Sequence, residues 1–232
     1  MTFSITAHDD SPQWRTRALD RSLGEARTRS VQRMERLVDA ARSLANESGS
    51  AAFTVAQVAD RAGLSLKSFY RCFSGKDHLL LALLEEESRR GAAILGGMVD
   101  AYDAPVERLR AYVQGIFELL TYPDAIGYAG VLVREHRRLA EDHPDELDAA
   151  LRPLVDRLRS ELASGVRAGE LEDVEPRRAA ETVFALVLAS IHEVTLGRAE
   201  PRERAAYLWR FCWSGLAGAR ETATGNASDR RR

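Results

Sequence analysis

Cysteine is scarce in this chain: Cys72 and Cys212 are the only two in 232 residues. They lie far apart and neither has a CxxC partner, which argues against a disulfide-stapled scaffold and against zinc. Long apolar runs are missing too. The longest, Val183 to Ile191, falls well short of the ~20 residues that cross a bilayer. No apolar segment opens the chain as a secretory leader would. These absences lead to an expectation of a reducing, cytoplasmic setting with no membrane partner. Catalytic signatures are lacking as well: there is no G-x-S-x-G, no P-loop and no HExxH. His136 and His143 stand seven apart on either side of an expected helix break, a spacing that suits no common metal site. No catalytic residue, cofactor or metal is therefore expected. Strand-like alternation and internal repeats are also absent, which points to an all-α chain.

One segment is rich in signals. Residues 54–76 read TVAQVADRAGLSLKSFYRCFSGK. Thr54 with Gln57 three residues on forms a capping box that starts a helix. Val55, Val58, Ala59 and Ala62 then share one face. Gly63 stops that helix, since a left-handed backbone costs glycine little. Leu64 plugs the turn and Ser65 caps a second helix, Leu66 to Phe73. Phe69 and Phe73 face inward. Leu66, Lys67, Ser68, Tyr70, Arg71 and Cys72 are left on the other faces. In a helix-turn-helix those positions meet base edges and phosphates in the major groove. Ser74 to Asp77 gives a further Ser-x-x-Asp cap before Leu79-Leu80, and Lys76 in that first turn is placed to clamp a phosphate.

This string resembles the TetR (tetracycline-repressor) type of bacterial transcriptional regulators. The likeness rests on Phe53-Thr54-Val55, Val58-Ala59, Ala62-Gly63-Leu64-Ser65, Ser68-Phe69-Tyr70, Phe73, Lys76 and Leu79-Leu80, and is strong over roughly residues 30 to 85. The resemblance implies a three-helix DNA-binding head, a larger helical ligand-binding and dimerisation body, and a homodimer on a palindromic operator. It implies phosphate contacts from Thr54, Tyr70 and Lys76. Leu66, Lys67, Ser68 and Cys72 would lie near bases. Repression is the usual outcome in that family. An activator, or a helical adaptor that does not bind DNA, are the alternatives. Charge agrees with a basic head: residues 1–76 carry 12 Lys and Arg against 8 Asp and Glu, and the remainder carries 21 against 27.

The expected organisation is a flexible leader over 1–29, a helix-turn-helix domain over 30–76, a ligand-binding and dimerisation domain over 77–220, and a disordered tail over 221–232. The first head helix is expected from about Ser30, with Val31, Met34, Leu37, Val38, Ala41, Leu44 and Ala45 as its stripe. Gly91, Gly96 and Gly97 predict a bend or break in the helix that follows the head. Pro153 predicts a kink or split in the segment from Pro144 to Ala168. An unidentified small molecule is expected between the helices of 105–168. Phe117, Leu120, Tyr122, Tyr128 and Leu132 are the candidate walls, with Arg134 and His136 to orient it. The last two long segments carry apolar stripes that suit a four-helix dimer interface. Val183, Leu186, Val187, Ser190 and Val194 form one; Leu208, Trp209, Cys212, Trp213 and Leu216 form the other.

Overall fold

The computed structural model describes the backbone of residues 13–228 and the side chains of residues 21–217. It is all-α, and among the described residues there is no strand. The helices are α1 (Gln13–Ser48), α2 (Val55–Arg61), α3 (Leu66–Cys72), α4 (Lys76–Val99), α5 (Pro105–Leu119), α6 (Ala125–Asp142), α7 (Pro144–Arg167), α8 (Pro176–Thr195) and α9 (Pro201–Ser228). None is long and apolar enough to cross a membrane.

The head forms because local signals agree. Thr54 caps α2 in a complete capping box: Gln57 N–H donates to Thr54 Oγ1 at 3.2 Å, and Thr54 N–H donates to Gln57 Oε1 at 2.7 Å. Gly63 takes a left-handed φ of 62° in the turn. A Cβ there would sit 2.9 Å from Nη2 of Arg36, which itself donates to the Ala62 carbonyl. The turn is thus closed by a side chain of α1 as well as by backbone freedom. Ser65 caps α3 through the Ser68 N–H at 3.2 Å. Phe69 lies at the centre of the head, fully buried.

Two apolar cores divide the molecule. The first joins α1, α2 and α3 to the leucines at the start of α4, and it takes in Val131, Leu139, Leu147 and Ala150 from α6 and α7. Position 76 is therefore not a core boundary. The second core holds the far half of α4 with α5, α7, α8 and α9. Helix α4 runs through both.

Several expectations are corrected. Helix α1 begins at Gln13 instead of about Ser30. Its early part needs no stripe, because residues 13–29 contain no proline and hold five Arg, two Ala and two Leu, which favour helix on their own. The leader's residues 1–12 lie outside the described residues. Likewise α9 continues to Ser228, and only 229–232 of the expected tail lie outside. Val31 is exposed and Met34 half-buried, so the α1 stripe starts at Leu37. Helix α4 passes its glycines unbroken, with Gly91 set against Leu154 of α7. The cap of α4 is Gly75, without a side-chain cap bond, because the Ser74 hydroxyl pairs with His78 Nδ1 at 2.8 Å. Helix α7 likewise runs through Pro153.

Candidate nucleic-acid interface and ligand cavity

Helix α3 turns one face into the first core and leaves the other open. Leu66, Lys67, Tyr70 and Arg71 are exposed, with Tyr70 56% accessible. Its ring meets the buried Phe69 edge-on, centroids 5.4 Å apart. Neither Lys67 nor Arg71 enters an ion pair among the described residues, so both charges remain available. Arg61 on α2 is instead held by Glu47, at 2.6 and 2.9 Å. Thr54 is exposed at the start of α2.

Three of the head residues sit differently from the sequence expectation. Ser68 is half-buried, its hydroxyl 3.0 Å from that of Ser65, so it serves the helix cap. Cys72 is half-buried and packs against the first core, because the last turn of α3 tucks inward with Phe73. Lys76 turns back over the head: its ammonium donates to the Ala51 carbonyl and lies 4.9 Å from the centre of the Phe53 ring. It pins the loop before α2 to the start of α4.

The body grips the head through α6. Arg134 Nη2 donates to the Gly49 carbonyl at 2.7 Å, in the link between α1 and α2. Arg138 Nη2 donates to Asp77 Oδ1 at 2.6 Å. That bond holds the Asp77 carboxyl below its usual pKa.

Where α1, α4, α6 and α8 meet there is a cavity of about 620 Å³. Leu120, Tyr122, Tyr128 and Leu132 line it, as the sequence suggested, and Ile94, Ile116, Leu154, Val187 and Ile191 complete its apolar walls. Phe117 does not reach it, being fully buried in the second core. Arg134 is occupied at Gly49. His136 lines a different cavity of about 730 Å³ with Asp148, Arg152, Arg159 and Arg177, and burial lowers its pKa.

The polar end of the first cavity was not legible in the sequence. Arg42, Glu87 and Ser88 line it together with Tyr128. Arg42 Nε donates to Glu87 Oε1 at 2.5 Å. Three further polar atoms there, Arg42 Nη2, Ser88 Oγ and the Tyr128 hydroxyl, are buried without a well-formed hydrogen bond, though the Tyr128 hydroxyl lies close enough to Glu87 and Arg42 to interact with both. Buried polar atoms are normally satisfied, so this end of the cavity suits a further polar partner. Burial, with Glu87 nearby, pushes the Tyr128 phenol up, so it stays protonated. A signal did exist for Ser88: it falls four residues after Leu84 on the apolar face of α4.

The stripes of α8 and α9 face inward. Val183, Val187, Ser190, Val194, Leu208, Trp209 and Cys212 are all buried within one chain. Residues covered that fully have little surface to give to a second copy, because the second core already needs them. Leu186, Trp213 and Leu216 are half-buried, and Trp213 stacks on Trp209 with centroids 5.8 Å apart. The outer faces expose Ala185 and Ala189 on α8, and Ala206, Tyr207 and Phe211 on α9. Tyr207 and Phe211 are large apolar rings left open to solvent.

Residues 37–83 match the model for bacterial regulatory proteins of the tetR family, and residues 102–192 match that of a tetracyclin repressor-like C-terminal domain. The chain is 30% identical over 130 residues to the HTH-type transcriptional regulator BetI of Brucella suis biovar 1, covering 56% of this chain and 64% of that protein. Against BetI of Brucella anthropi it is 30% identical over 110 residues, 47% of this chain and 57% of the relative. The match thus spans less than two thirds of these relatives' length. Among solved structures, the transcriptional regulator FadR from Bacillus subtilis in complex with stearoyl-CoA superposes with a TM-score of 0.66 at 19% identity, over 78% of this chain and 98% of that one. RolR in complex with resorcinol gives 0.64 at 22% identity, over 84% and 94%. At such identities these two likenesses speak to the fold.

Proposed function

The chain belongs to the tetR family of bacterial regulatory proteins, and from that premise we propose that it is a DNA-binding transcriptional repressor released by a small molecule. A homodimer presents two copies of α3 to successive major grooves of a palindromic operator. Lys67 and Arg71 contact base edges and phosphates, with Tyr70 and Thr54 on phosphates. Leu66 covers a thymine methyl or the helix start. The second copy docks on the outer faces of α8 and α9, around Tyr207 and Phe211, with Leu186, Trp213 and Leu216 at the margin. The reading places the protein in the cytoplasm, with no catalytic role.

The observation that carries the ligand half of this reading is the apolar cavity with a polar end at Arg42, Ser88 and Tyr128, whose buried polar atoms lack well-formed hydrogen bonds. The volume suits a drug-sized molecule. Its walls suit an apolar body, and Arg42, Ser88 and Tyr128 suit a hydrogen-bonding or anionic head. FadR's partner is stearoyl-CoA and RolR's is resorcinol; both molecules join apolar carbon to oxygen acceptors. Arg42 and Asn46 belong to α1, so an occupant touches the head directly. It also touches Tyr128 on α6, the helix that holds Gly49 and Asp77. A ligand that favours a different seat of α6 shifts the heads away from operator spacing.

Two measurements test this. A gel shift with DNA from upstream of the protein's own gene is expected to show binding that weakens steeply with salt. Lys67→Ala is expected to relax preference at one or two base pairs by ~1–3 kcal/mol each. Equal loss on every sequence would remove Lys67 from base recognition. In the cavity, Ser88→Ala is expected to raise the stability of the ligand-free chain by about 1 kcal/mol, since it deletes a buried, unpaired hydroxyl. The urea midpoint at fixed protein concentration reports this. A lower midpoint would mean that solvent already partners the hydroxyl.

A further inference from the structure

We propose that His78, His143 and Glu146 form a binding site for a divalent first-row metal ion of the zinc class, on the joint between head and body. The three come from distant places. His78 lies in the first turn of α4, directly after the head. His143 sits at the corner between α6 and α7, and Glu146 lies in the first turn of α7. One ligand atom from each lies within 4.8 Å of the other two. His143 Nδ1 is 3.7 Å from Glu146 Oε1. The two imidazoles meet edge-on with centroids 5.3 Å apart.

Zinc bonds of ~2.0–2.1 Å in a tetrahedron place neighbouring donors about 3.3 Å apart. The cluster is therefore wider than a loaded site by at most about 1.5 Å, and by only about 0.4 Å between His143 and Glu146. His78 and Glu146 are exposed, so rotation of their side chains closes the gap without moving a helix. Two imidazoles and one carboxylate are a donor set that suits zinc and leave a fourth position for water.

The surroundings resemble an outer shell more than a chance meeting of charges. Ser74 Oγ lies 2.8 Å from His78 Nδ1, which orients that ring and leaves Nε2 for an ion. Asp77 Oδ2 lies 3.8 Å from His143 Nε2, which leaves Nδ1 facing Glu146. A carboxylate hydrogen-bonded behind a ligating histidine is the usual second shell of a zinc site, and Asp77 need close only from 3.8 Å to supply it. Asp77 is itself fixed by Arg138 at 2.6 Å. Of the neighbouring cations, Arg138 is spent on Asp77 and Lys76 has its ammonium taken up by the Ala51 carbonyl. A cavity of about 310 Å³, lined by Ser74, Lys76, Asp77, His78 and His143, gives an ion a way in. The sequence expectation of no metal rested on spacing along the chain. Folding adds His78, which no local pattern couples to His143.

The test needs no DNA. Zinc chloride is titrated calorimetrically into the metal-free full-length chain, and cobalt is then substituted to read the visible absorption of a four-coordinate site. One equivalent per chain is expected. His78→Ala and His143→Ala should each weaken binding by more than about tenfold, and Ser74→Ala by about tenfold, the size of outer-shell effects. His136→Ala and His192→Ala should leave it unchanged. Circular dichroism checks that each variant keeps its helices, and the exposed His78 offers a variant that removes no core packing. Zinc uptake that survives the double variant His78→Ala with His143→Ala would overturn the assignment. So would no uptake at all, or a cobalt spectrum of a fully hydrated ion.

Discussion

Phe69→Ala is expected to cost about 3–5 kcal/mol, the range for emptying a fully buried aromatic site, and to abolish DNA binding while the far half of the body stays folded. Phe69 is completely buried in the first core, and its ring packs on Phe73 at 5.8 Å. It has no place in the second core, where α5, α8 and α9 meet. Hydrogen exchange should therefore show lost protection in α2, α3 and the inner turns of α1, with α5 and α8 retained. Tyr70→Ala is the informative neighbour. Tyr70 is exposed, so its loss should change stability little, and any fall in affinity reads as a lost contact. Equal loss of protection in both cores would mean that the two fold as one unit.

The second large effect lies at the opposite end of α4. Glu161 is a buried carboxylate, 3% exposed, between two guanidinium groups. Arg108 of α5 reaches it at 2.8 and 3.1 Å, and Arg157 of α7 lies 2.9 Å away. Both arginines also touch Asp100 at the end of α4, at 3.4 and 3.1 Å. Removing both, Arg108→Ala with Arg157→Ala, leaves a buried charge without compensation. The expected loss is about 3–5 kcal/mol, a fall in Tm on the order of 10 °C for a chain of this size. Adding Glu161→Leu should recover most of it, because an apolar residue needs no partner there. Melting curves at one protein concentration decide. If the third substitution brings no recovery, the arginines stabilise through their aliphatic stems and not through charge.

The head was legible because its signals are local. Thr54 with Gln57, Gly63, and Ser65 with Ser68 each act within four residues, and each forms the bond that its spacing implies. The body was legible only as helices. Periodicity tells that one face of α8 is covered but not what covers it, so a stripe that packs inside one chain looks like a stripe between two. The cavity was half visible. The walls from Leu120 to Leu132 come from one stretch of sequence, whereas Ile94, Leu154 and Ile191 come from α4, α7 and α8, and the polar end takes Arg42 from α1 and Ser88 from α4. The charge of Arg134 reads as that of a ligand group, and only the fold reveals that the Gly49 carbonyl occupies it. Lys76 follows the same pattern. A cation in the first turn of a helix predicts an anion partner, but a nearby carbonyl and an aromatic face compete for it.

The scarcity of thiols gives the molecule two built-in reporters that answer different questions. Cys72 sits half open at the end of α3, whereas Cys212 is enclosed by α9's packing and burial raises its pKa. A thiol reagent meets the first readily in the native chain and the second, 6% exposed, far more slowly until the α8–α9 layer opens. Alkylation rates at the two sulfurs thus separate a footprint left by bound nucleic acid from breathing of the interior, in one sample and without a label.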